Sequence, residues 1–166
     1  MSHLVFVCDR LPNDRREALM RLTTKTNLAM RVLMACAVNP GRILRKHDIA
    51  QVANASEAHV AVVINQLGKL GFIRTTRGRS GGVELRLAPE EISVGRVFRL
   101  LESGVPFAEC FDRSANTCPI SSCCRLNGAL SVALEAFYAT LDGMTLADLT
   151  GDNPALTRIL ALDEVT

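Results

Sequence analysis

Apolar residues recur along this chain in two rhythms. In TTKTNLAMRVLMACAV (23–38) they fall at Leu28, Val32, Leu33, Cys36 and Ala37, the spacing of a helix with one buried face. Thr24 or Thr26 is expected to cap its start, and Pro40 and Gly41 end it. KHDIAQVA (46–53) reads as a short second helix, followed by the turn NAS. Ser56 then opens SEAHVAVVINQLGKLG (56–71), with Val60, Val63, Ile64, Leu67 and Leu70 on one face and Gly71 placed to stop it. At FIRTTRGRSGGVELRL the rhythm shifts to that of strands, expected at 72–75 and 83–87 around a glycine-rich turn.

Helical spacing returns in ISVGRVFRLLES (92–103), where Val94, Val97, Phe98 and Leu101 face inward. It returns again in LNGALSVALEAFYATLDGM (126–144). There Leu126, Leu130, Ala133, Phe137 and Leu141 form a stripe that Leu134 widens. So long an apolar face implies a partner helix, hence a homodimer with Leu126, Leu130, Leu134, Phe137 and Leu141 at its interface; packing back on its own domain is the alternative. TLADLT (145–150) reads as a capped final turn, and NPALTRILALDEVT (153–166) as a short helix with frayed ends.

Two helices joined by a tight turn and followed by a hairpin spell a winged helix-turn-helix, in a chain that is mainly α. Charge strengthens that reading. The formal charge of +2 hides an asymmetry: residues 20–87 carry 11 Lys/Arg against 3 Asp/Glu, whereas residues 88–166 carry 5 against 11. A basic segment joined to an acidic one points the first half at a polyanion, here double-stranded DNA. In the second helix of the pair, Ser56, Glu57 and His59 are expected on the exposed first turn, where base edges are read. Glu57 suits a cytosine amino group and Ser56 a base or a phosphate; both also suit a helix N-terminus. Asn65 and Lys69 fall on the polar face, toward phosphate or water, and Arg77 and Arg79 tip the hairpin for a minor groove.

Four of the six cysteines crowd into CFDRSANTCPISSCC (110–124). A disulfide staple, a metal or iron–sulfur site, and chance all fit that bare fact. The first 20 residues make a poor signal peptide and no run of 18 apolar residues occurs, so the expectation is a cytoplasmic chain, outside the membrane, with reduced thiols. No G-x-S-x-G, Walker loop or paired carboxylates suggest an enzyme.

From MRLTTKTNLAMRVLM (20–34) through RGRSGGVELRLAPEEISVG (77–95) to TLADL (145–149), the order of segments resembles the winged-helix regulators that include IscR, NsrR and RirA. Family chains begin near the position of Met20, so residues 1–19 are an extension or an over-called start. The resemblance divides the rest into a DNA-binding domain (20–88), a cluster loop with a dimerisation helix (89–150) and a tail (151–166). It implies a DNA-binding regulator, a repressor, on an operator of two-fold symmetry. Its iron–sulfur members hold a cluster with three loop cysteines, which match Cys110, Cys118 and Cys124, spaced C-x7-C-x5-C with the wider C-x7-C gap of RirA-like members. A [4Fe-4S] centre is favoured over [2Fe-2S], sensing nitric oxide, iron or redox state. Asn27 and Asn127 stand where relatives place a fourth ligand, an aspartate or a histidine. Cys123, Cys36 and Cys8 stay outside the set. Two alternatives remain: a cluster-free regulator of this fold switched by thiol oxidation, and a zinc-stabilised module or small redox enzyme.

Overall fold

The computed structural model describes residues 22–78, 81–104, 106–112 and 114–162. In chain order it contains α1 (Thr24–Val38), α2 (Lys46–Val52), α3 (Glu57–Lys69), β1 (Ile73–Thr76), β2 (Gly82–Leu85), α4 (Val94–Glu102), α5 (Arg125–Asp142), α6 (Leu146–Thr150) and α7 (Pro154–Leu160). The architecture is mainly helical with one antiparallel hairpin, as the two rhythms imply.

The bounds of α3 and β1 have local causes. Ser56 caps α3 by accepting the His59 N–H, and Leu70 closes it. Gly71 then takes φ +80°, a left-handed turn that glycine adopts without strain, and the Phe72 N–H returns to the Leu67 carbonyl at 3.1 Å. That return bond keeps Phe72 in the helix exit, so β1 starts one residue later than the apolar pattern implies. The ladder runs from Ile73↔Leu85 to Thr76↔Gly82. The cap of α1 is neither Thr24 nor Thr26 but Thr23, whose hydroxyl accepts the Thr26 N–H at 3.2 Å. Thr26 is fully buried, and Glu102 at the end of α4 accepts both the N–H and the hydroxyl of Thr23 at 3.1 and 2.8 Å.

One core joins these elements. Leu33, Ile49, Val60, Leu67 and Phe72 seal α1, α2, α3 and the hairpin, and Ile92, Val97, Leu101 and Leu146 extend the same cluster through α4 and α6. Leu44 exchanges backbone bonds of 2.8 Å with Val83 in both directions, docking the segment before α2 against the hairpin. Gly82 permits that approach, since a Cβ there would stand 2.5 Å from the Leu44 carbonyl oxygen. The tail docks as well, through Leu160 and Leu162. Leu160 is buried, and the buried Asn39 amide donates to its carbonyl at 2.9 Å while accepting the Leu162 N–H at 2.9 Å. Residues 163–166 lie outside the described residues. No helix among the described residues is long and apolar enough to cross a membrane.

Candidate nucleic-acid interface and cysteine loop

The first turn of α3 is exposed at Ser56, Glu57 and His59, as its periodicity requires. The Ser56 hydroxyl is engaged as the helix cap at 3.3 Å from the His59 nitrogen. Glu57 is held by two side chains of α2: Lys46 Nζ stands 3.0 Å from Oε2, and His47 Nδ1 stands 3.0 Å from Oε1. The His47 bond, then Lys46, hold the Glu57 carboxyl below the usual carboxylate range. Neither Lys46 nor His47 is legible as a site residue in sequence, because the pairing spans ten or more positions and follows no period. Behind this turn an open cleft of about 570 Å³ separates α3 from the hairpin, and Arg45, Lys46, Asn65, Thr75 and Gly82 line it. Asn65 and Lys69 are exposed, and both line a second recess of about 350 Å³ beside β1.

At the hairpin, Arg77 is exposed, whereas Arg79 lies outside the described residues. A Cβ at Gly81 would stand 2.3 Å from the Thr76 carbonyl oxygen, so the tip accepts no side chain there. Arg74 is not a tip cation: it pairs with Glu84 directly across the ladder at 2.8 Å. The face therefore presents a capped helix start, a carboxylate fixed between Lys46 and His47, and a basic hairpin.

The cysteine loop is built differently. Cys110 lies in a single 3-10 turn (Glu109–Phe111), Cys118 follows a run of polar turns, and Cys124 is the N-cap of α5. These three are half-buried, Cys123 is exposed, and all four are free thiols. Glu109 Oε1 accepts the Thr117 hydroxyl and N–H, both at 2.7 Å. Asp112 Oδ1 accepts from Ser114 N–H, Ser114 Oγ and Ala115 N–H at 2.9, 2.6 and 3.2 Å, and Asn116 Oδ1 accepts the Cys118 N–H at 3.0 Å. The Thr117 hydroxyl and amide hold Glu109, and the Ser114 hydroxyl and amide hold Asp112, below the usual carboxylate range. Cys36 contrasts with all of these: burial on α1, with a smaller push from Glu84, raises its thiol to about 12. Cys8 lies outside the described residues.

Among the described residues, no three Cys, His, Asp or Glu groups converge to hold a single ion. His47 and His59 stand on α2 and α3, away from the loop in sequence, so no zinc cage is preformed there. The chemistry of the donor set suits an iron–sulfur cluster, whose thiolates bind separate irons. The start of α5 suits its negative charge: Cys124 makes no side-chain cap, and the first turn carries no acidic residue, which leaves the helix dipole uncompensated. Asn27 is exposed on the first turn of α1, and Asn127 is half-buried on α5. Neither offers a thiolate or an imidazole.

The apolar stripe of α5 divides in two. Its C-terminal part turns back onto its own domain, where Phe137 and Leu141 pack against the core and the Phe98 and Phe137 rings lie 6.4 Å apart. Arg99 of α4 covers the Tyr138 ring at 4.4 Å and bonds Asp142. Toward the N-terminus, Leu126 is 63 % and Val132 73 % exposed, with Leu130 and Leu134 half-buried.

Residues 22–152 match the family described as Rrf2, iron-dependent transcriptional regulator. The chain is 39 % identical over 146 residues to the HTH-type transcriptional regulator NsrR of Bacillus subtilis (strain 168), covering 87 % of this chain and 100 % of that protein. It superposes on an oxidized form of Staphylococcus aureus CymR with a TM-score of 0.62 at 27 % identity, covering 79 % of this chain and 96 % of the other. The T. potens IscR structure gives a TM-score of 0.64 at 24 % identity over 80 % of this chain and 87 % of that one, a likeness of fold.

Proposed function

The chain belongs to the Rrf2 family of transcriptional regulators, and on that premise we propose that it is a homodimeric repressor whose affinity for a two-fold DNA operator is set by an iron–sulfur cluster. Its similarity to named transcriptional regulators makes it a regulator and not an enzyme. Cys110, Cys118 and Cys124 would hold the cluster, [4Fe-4S] in preference to [2Fe-2S]. When bound, the cluster supplies iron sites that react with nitric oxide, oxygen and chelators. Asn27 and Asn127 offer only neutral amides, poor ligands that leave one iron open to such signals.

One observation carries this reading: Cys124 is both the last cysteine of the set and the residue from which α5 starts. Whatever positions Cys124 also positions the first turn of the helix that carries the exposed Leu126 and Val132. The other end of α5 is tied to α4 by Arg99 and Phe98, and α4 is tied to α1 by Glu102. A change in the loop thus has a chain of packed contacts toward the DNA-reading helices, whose spacing in a dimer governs operator fit. On the DNA side, Ser56, Glu57 and His59 would meet base edges, Arg77 and Arg79 the minor groove, and Asn65 and Lys69 phosphates.

A second reading has its own support. The likeness to an oxidized form of CymR, together with the exposure of Cys123 in this chain, favours a switch by thiol oxidation. Anaerobic purification with iron and sulfide assay separates the two. The cluster reading expects a brown wild type, a colourless Cys118→Ser and a Cys123→Ser that keeps its colour. A wild type free of iron and sulfide would overturn it in favour of thiol oxidation.

A further inference from the structure

We propose that Glu109 and Thr117 form a latch that presents Cys110 and Cys118 together, which makes Glu109 a positioning residue for the cluster and not its fourth ligand. The proposal rests on the cluster reading above. Glu109 immediately precedes Cys110, and Thr117 immediately precedes Cys118. The two bonds from Thr117 to one carboxylate oxygen therefore join matching positions beside the two cysteines, closing the seven-residue span between them. Inside that span Asp112 folds the chain over Ser114 and Ala115, and Asn116 fixes the amide of Cys118 itself.

The latch joins the two ends of the span, whereas the ties of Asp112 and Asn116 act within it. No described residue from Phe107 to Cys124 is buried, so no apolar core sets the distance between the two thiols. Bonds to an ionised carboxylate are stronger than neutral ones, and a doubly bonded acceptor limits the freedom of both chain ends. Glu109 is also the carboxylate next to a cysteine, and so the obvious candidate for a missing fourth ligand. Its commitment to two donors of Thr117 gives it the other role.

The test uses the full chain and the variants Glu109→Ala, Thr117→Val and Thr117→Ser. The reduced, cluster-free protein is treated with phenylarsine oxide, which bridges two neighbouring thiols, and the rate of Cys110–Cys118 bridging is read by mass spectrometry. Loss of the charge-assisted bonds is expected to slow bridging roughly tenfold in Glu109→Ala, and less in Thr117→Val. Thr117→Ser keeps the hydroxyl and restores the wild-type rate. In anaerobically loaded protein, Glu109→Ala should lose iron to a chelator about tenfold faster, the usual scale for a group that orients a ligand, with the shape of the visible spectrum unchanged. Thr117→Val should share that direction. Wild-type bridging and chelation rates in both Glu109→Ala and Thr117→Val would overturn the latch. A changed spectrum in Glu109→Ala with a silent Thr117→Val would make Glu109 a ligand and overturn it too. Because bridging is read without a cluster, a wild type that never holds iron would sink the cluster reading while the latch is still decided.

Discussion

In the winged unit, Leu33, Ile49, Leu67 and Phe72 are each at most 1 % exposed and interlock α1, α2, α3 and the hairpin. Between Phe107 and Cys124 no described residue is buried, and order comes from short backbone turns, one Phe107–Phe111 ring contact and carboxylate and amide side chains bonding nearby backbone. The first arrangement is cooperative, since each side chain is held by many others and the platform moves as a body. The second is a set of separate short ties, the kind of segment that opens locally at little cost. A regulator needs both: a fixed surface to meet DNA and a segment whose shape a signal can change.

The cysteines repeat the contrast within one residue type. Cys36, 5 % exposed on α1, is kept as a neutral thiol by the apolar surroundings that raise it to about 12. The loop thiols stand at the surface or half-buried, where a metal or an oxidant reaches them.

The contrast breaks first in stability. Phe72→Ala should cost about 3–5 kcal/mol, the range for emptying a core aromatic site, whereas Ile120→Ala in the loop should stay within about 0.5 kcal/mol. Chemical denaturation followed by circular dichroism measures both, and a loop variant as damaging as the core one would mean that the loop is part of the core. A smaller effect on folding but a large one on assembly is expected from Leu134→Asp. The residue is half-buried on a helix with no fully buried position, so the domain should fold while the proposed homodimer splits at micromolar concentration. Light scattering reads the mass, and a wild type already monomeric would refute the dimer.

Periodicity made the winged unit legible in sequence. Val60, Val63, Ile64 and Leu67 mark one face of α3, Ser56 and Gly71 mark its ends, and all six do what their spacing implies. Where several residues offered the same chemistry, sequence could not choose. Three threonines compete to cap α1, and the outcome depends on Glu102, nearly 80 positions away, which receives Thr23. Asn39 holding Leu160 and Leu162 is likewise invisible, because a tie across more than 120 residues leaves no local pattern. The α5 stripe was legible as apolar, but not its division between Phe137 and Leu141, which turn inward, and Leu126, which does not. In the loop the cysteine spacing was plain. The parallel placement of Glu109 and Thr117, each just before a cysteine, was present in the letters and became meaningful only with the bond between them.

If the loop controls the DNA-reading face, operator affinity must follow the state of the loop. One anaerobic preparation is titrated against its operator by fluorescence anisotropy, before and after chelation removes the cluster. A change of about tenfold or more is expected, the common scale of coupling between two sites, with Cys110→Ser, Cys118→Ser and Cys124→Ser all fixed at the cluster-free value. Equal affinity before and after chelation, in a preparation shown to have lost its iron, would contradict it.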